Sequence, residues 1–105
     1  MPLSILSVVL LIELLVSGCT SERDAESSSG EKMTAACFSC HGKNGATQSP
    51  MMPKLAGQNR LYLIKAMKSY ADGRRDHPTM KSFVAGLTEQ EMEDIASFYA
   101  SQRPR

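Results

Sequence analysis

The chain has 105 residues, with twelve Lys and Arg against eleven Asp and Glu and no tryptophan. That length holds one folded domain at most. Basic runs interleaved with aromatics are missing, which argues against a nucleic-acid-binding surface, and no strand-like alternation stands out, which leaves an all-α domain.

Residues 3–16 are apolar apart from Glu13. The run is shorter than the roughly 20 residues a membrane-spanning helix needs, and it has the length of a signal-peptide core, so residues 1–18 are expected to be an export signal. It closes on Leu15-Val16-Ser17-Gly18-Cys19, which resembles the lipobox of bacterial lipoproteins. That resemblance implies a lipid on Cys19 and a membrane anchor on the periplasmic side. With Thr20 after the cysteine, it implies the outer membrane where a cell has one. The alternative is cleavage that leaves Cys19 as a plain thiol, but a stray thiol would invite oxidation in an exported protein.

Thr20 to Gly30 is polar, with three acids, one Arg and no large apolar residue. Such a segment buries too little surface to order itself, so residues 19–30 are expected to be a flexible tether. Residues 31–105 are then the folded domain. They carry eleven Lys and Arg against seven Asp and Glu, a formal +4, which suits docking to acidic protein surfaces.

Cys37-Phe38-Ser39-Cys40-His41 carries the chemistry. On a helical turn, residues three and four apart share a face, so two sulfurs and an imidazole converge on one object. Two thiols at that spacing can add across the vinyl groups of a haem while the histidine reaches the iron, the pattern of covalent haem c attachment. A zinc site would need two further ligands, and His77 is the one Cys or His left besides Cys19. The cysteine count balances without a disulfide: Cys19 for lipid, Cys37 and Cys40 for haem.

Three helices are expected. The first spans about Glu31–Cys40 and stops at Gly42. In the second, about Arg60–Asp72, Leu61, Leu63, Ile64, Met67, Tyr70 and Ala71 form an apolar face, and Gly73 provides the stop. The third begins at a capping box of Thr88 and Glu91, with Leu87 and Met92 as a hydrophobic staple. Its Met92, Ile95, Ala96 and Tyr99 should face inward. A core this small is marginal alone, so the domain is expected to depend on its cofactor to fold.

Haem iron in an electron-transfer site usually has two protein ligands, and His41 supplies one. Met80 is the expected second, in a loop stiffened by Pro78; a thioether favours ferrous iron and raises the potential. His77 shares that loop and is the rival donor, read otherwise as a surface histidine. Met67 and Met92 are expected in the core, and Met51 and Met52 are expected to pack in the turn after the haem motif.

Cys37-Phe38-Ser39-Cys40-His41-Gly42, Pro53-Lys54-Leu55-Ala56-Gly57-Gln58, Pro78-Thr79-Met80 and Asp94-Ile95-Ala96-Ser97-Phe98-Tyr99-Ala100 together resemble a class I cytochrome c of the small bacterial type, similar to one haem domain of cytochrome c4 and to cytochromes c553. The resemblance implies helices and loops wrapped around one haem, with the Pro53 carbonyl orienting the His41 ring and Leu55 packing on the haem. It also implies a one-electron carrier, or the cytochrome subunit of a larger oxidoreductase, rather than an enzyme. A labile sixth position would instead make a gas sensor or a small-molecule redox enzyme, and a zinc-stabilised module would be colourless.

Overall fold

The structure is a computed structural model, and it describes residues 22–104. The export signal, Cys19 and the first residues of the expected tether lie outside that range. Among the described residues the fold is helical without strands: α1 Glu22–Met33, a 3-10 turn Thr34–Ala36, α2 Phe38–His41, α3 Arg60–Ala71, α4 Pro78–Val84 and α5 Glu89–Ala100.

The core lies between α3 and α5. Leu63 and Ile64 from α3 meet Ile95, Ala96, Phe98 and Tyr99 from α5, with Met33, Cys37, Leu55, Met67 and Leu87 packed around them. Leu61 was expected on the same face but is 67% exposed. At 100° per residue it lies roughly 110° around the helix from the centre of the Leu63–Ile64–Met67 stripe.

Helix α1 corrects the expected tether. Its polar sequence still packs along α5, for two reasons that hydrophobic patterning does not reveal. Gly30 is buried where the two backbones cross, directly against the Asp94 carbonyl. One turn earlier, Glu26 and Arg60 meet at 2.8 Å over Ser97 of α5, whose hydroxyl donates to Glu26 (2.8 Å) and accepts from the Arg60 Nε–H (2.7 Å). A polar helix is thus held by a close backbone crossing and a half-buried polar triad rather than by an apolar stripe.

The expected first helix therefore starts earlier and is broken. After Met33 the chain tightens into the 3-10 turn, where Thr34 is fully buried and its hydroxyl donates to the Glu31 carbonyl (2.8 Å). α2 then restarts at Phe38 and stops at Gly42, whose φ is +82°.

Helix α4 is the second correction, because a loop was expected around Met80. Proline is favoured at the first turn of a helix, where its missing N–H would be unpaired in any case. Pro78 thus starts this helix, and His77 caps it. Helix α5 begins as expected: the Thr88 hydroxyl accepts the Glu91 N–H and the Glu91 carboxylate accepts the Thr88 N–H, both at 3.1 Å.

Candidate haem site

The attachment motif forms one helical turn. The His41 N–H donates to the Cys37 carbonyl (2.9 Å), and the Gly42 N–H to that of Phe38 (2.9 Å). Cys37, Cys40 and His41 therefore stand on neighbouring positions of one turn, as the spacing requires. Both thiols are free and half-buried. Burial pushes the Cys37 thiol above its ordinary pKa, outweighing the nearby Tyr99 hydroxyl.

His41 is buried, and its Nδ1 lies 2.8 Å from the Pro53 carbonyl oxygen. A carbonyl only accepts, so Nδ1 carries the proton and donates. In the neutral ring Nε2 then has its lone pair free for a metal. Pro53 reaches His41 because Gly45 closes the intervening loop: its carbonyl accepts from the N–H groups of both Leu55 (2.8 Å) and Ala56 (3.1 Å). The Gly57 N–H then donates to the Tyr99 carbonyl (2.9 Å), tying the loop to the end of α5. Leu55 packs half-buried against the cluster that also holds Cys37.

Met80 is half-buried in the first turn of α4. His77 is exposed, and its Nδ1 accepts the Met80 backbone N–H at 3.2 Å. An imidazole that accepts at Nδ1 carries its proton on Nε2 when neutral, so neither nitrogen of His77 keeps a free lone pair. The two histidines thus have opposite tautomers, and His41 alone has the one suited to a metal. Met51 and Met52, expected to pack, are 83% and 38% exposed.

The residues present fit a covalent haem. Two thiols and an unprotonated imidazole nitrogen share one turn. Beside Cys37, the Tyr99 hydroxyl is buried without a hydrogen-bond partner, and desolvation holds its pKa far above the ordinary value. Leu61, Tyr62 and Phe83 are exposed apolar surface that the domain's own core leaves uncovered. Among the described residues, no three of His, Cys, Asp and Glu cluster as metal donors, which does not suit a zinc site.

Sequence reasoning missed the Glu26–Arg60–Ser97 triad. In the structure Arg74 pairs with Asp72 (2.8 Å) and Arg75 lies over the Tyr70 ring, 4.7 Å from its centroid.

The protein-family model for cytochrome c matches residues 27–102. This chain belongs to the cytochrome c family. It is 38% identical to cytochrome c4 of Pseudomonas aeruginosa over 97 residues, covering 90% of this chain and 48% of the relative. Cytochrome c-554(548) of Halomonas halodenitrificans is 35% identical over 80 residues, 73% of this chain and 96% of that protein. The crystal structure of reduced cytochrome c4 from Pseudomonas stutzeri superposes with a TM-score of 0.72 at 32% identity, covering 75% of this chain and 46% of that one. The chain thus spans about half the length of these cytochrome c4 relatives and nearly all of the c-554(548) relative. The fold is that of a class I c-type cytochrome, and the helices expected from the sequence belong to it. The family carries covalently attached haem c, to which the Cys37-Phe38-Ser39-Cys40-His41 motif of this chain corresponds.

Proposed function

We propose that this cytochrome is a one-electron carrier in which Cys37 and Cys40 hold haem c through two thioethers, while His41 Nε2 and the Met80 sulfur bind the iron. The observation that carries the reading is the His41 Nδ1–H bond to Pro53, which leaves Nε2 unprotonated and fixes the ring plane. The occupied Nδ1 of His77 supports Met80 over its rival. Cys37 and Cys40 would hold the haem by adding each S–H across one vinyl group, sulfur to one carbon and hydrogen to the other, so no oxidant would be consumed.

When bound, the haem supplies the redox chemistry, alternating between Fe(III) and Fe(II). The chain supplies fixed geometry. Pro53 holds the imidazole, Leu55 covers apolar surface, and the Met80 thioether favours the ferrous state. Ligands that do not move between valence states keep reorganisation small, which is what a carrier requires.

Redox partners with acidic surfaces suit the groove lined by Lys43, Lys54 and Arg103. The same domain can serve as the cytochrome subunit of a larger oxidoreductase, and co-purification with a catalytic chain would reveal that. The lipobox-like Leu15–Cys19 supports export with a lipid on Cys19, holding the protein at the periplasmic side of a membrane. No helix among the described residues is long and apolar enough to cross one.

The test is expression with the export signal and haem-maturation machinery, followed by oxidised and reduced visible spectra. Sharp low-spin bands on reduction, with a far-red ferric band abolished by Met80→Ala, are expected. A high-spin spectrum and rapid carbon monoxide binding to the reduced protein would overturn methionine ligation in favour of gas binding. A colourless product beside a working control cytochrome would overturn haem attachment. Labelled palmitate should enter the wild type and not Cys19→Ser.

A further inference from the structure

We propose that His77 is the positioning residue for Met80, its imidazole fixing the first turn of α4 from a perch held by Tyr70. This rests on the reading of Met80 as an iron ligand.

Counting from the cap, Pro78, Thr79 and Met80 are the first three helical residues. The Met80 N–H is therefore one of the donors a helix start leaves unpaired. His77 satisfies it through Nδ1 at 3.2 Å, and the His77 carbonyl accepts the Lys81 N–H at 2.9 Å. Ring and backbone of one residue thus grip the Met80 turn from both sides. The helix has seven residues, too few to hold its own geometry without such help.

Histidine is not among the preferred capping residues, and Asn, Asp, Ser or Thr would serve as well for the hydrogen bond alone. The ring offers something they lack. Its edge meets Tyr70 of α3 with centroids 5.9 Å apart and planes at 74°. The Arg75 guanidinium lies over the Tyr70 ring at 4.7 Å, and the Arg75 N–H donates to the Ser69 carbonyl at 3.0 Å. The connection between α3 and α4 is thereby folded back on the end of α3. A continuous line of contacts runs from Tyr70, anchored in α3, through the imidazole to the Met80 backbone. Such a line ties the ligand-bearing turn to the rigid part of the core, and it would resist detachment of the thioether from the iron.

The test separates the two functions of the ring in the haem-loaded protein. His77→Asn keeps a cap and loses the Tyr70 contact; His77→Phe keeps an aromatic edge and loses the cap. The readout is displacement of methionine from ferric iron by free imidazole, followed at the far-red band. Losing the cap should let imidazole displace methionine at about five- to tenfold lower concentration, the equilibrium equivalent of a lost helix cap. We expect that for His77→Ala and His77→Phe, with His77→Asn recovering most but not all of the wild-type resistance. Tyr70→Leu should fall between wild type and His77→Ala.

If Met80→Ala abolishes the band while all three His77 variants match the wild type, the positioning role fails and methionine ligation stands. If Met80→Ala leaves the band unchanged, methionine ligation fails and this inference falls with it. Loss of the band in His77→Ala that His77→Asn does not restore would overturn the capping role.

Discussion

Gly30 of α1 and Asp94 of α5 cross so closely that a side chain on the glycine would overlap the Asp94 carbonyl. The contact is backbone against backbone, so no rotamer change can relieve it. In an ordinary helix, Gly→Ala would gain up to about 1 kcal/mol of helix propensity. Here overpacking should outweigh that gain, and Gly30→Ala should lose about 1–3 kcal/mol of stability. Urea unfolding of the haem-loaded protein measures it. A stabilised variant would show that α1 does not cross α5 at this point.

The start of α5 is a more local matter. The reciprocal bonds of Thr88 and Glu91, both 3.1 Å, satisfy two backbone donors. Thr88→Ala should cost about 1 kcal/mol, and Thr88→Asp should recover most of it. Because Met92, Ile95 and Ala96 lie just beyond, the loss should appear in the global unfolding midpoint rather than as local fraying.

This cap was legible in the sequence because its two partners sit three residues apart and the chemistry is self-contained. So was the haem turn, for the same reason: Cys37, Cys40 and His41 need only one turn of helix to meet. The expected Pro53–His41 bond came from family resemblance, not from spacing, since a twelve-residue loop has no periodicity to read. What escaped was tertiary. Polar residues 22–30 gave no sign that Gly30 would allow a backbone crossing or that Ser97 would join Glu26 to Arg60. Pro78 was read as a loop stiffener, although at a first helical position it starts a helix. His77 offers no spacing signal for its cap, because imidazole seldom fills that role.

Gly45 lets the haem loop close. Its φ is +75°, and a Cβ there would lie 2.7 Å from the Tyr99 ring and 2.8 Å from the Ala56 nitrogen. Gly45→Ala therefore combines left-handed backbone strain of about 1–2 kcal/mol with a steric clash. A loss of about 2–4 kcal/mol is expected. The same carbonyl that holds Leu55 and Ala56 also sets where Pro53 lies, so the His41 ring should be less well fixed. Denaturation measures the first effect, and broadening of the low-spin spectrum the second. A variant as stable as the wild type would show that the loop closes by another route.

The Glu26–Arg60–Ser97 triad makes stability depend on pH. The Ser97 hydroxyl, with Arg60 beside it, holds the Glu26 carboxyl below its ordinary value of 4.5, against a smaller opposing effect of burial. A carboxyl whose folded pKa is depressed binds its proton more readily in the unfolded chain. Its contribution is therefore fully present above pH 4.5 and is lost as pH falls through the lower folded value. Glu26→Gln should be less stable than the wild type at pH 7, and the gap should narrow as pH falls below 4.5 and through the depressed folded value. Arg60→Leu should lose more at pH 7, since it leaves Glu26 without its cation, and acid should narrow that gap as well. Thermal unfolding of the three proteins between pH 3 and pH 7 provides the check. A gap between wild type and Glu26→Gln that persists unchanged at pH 3 would mean the carboxylate charge contributes nothing to holding α1 on α5.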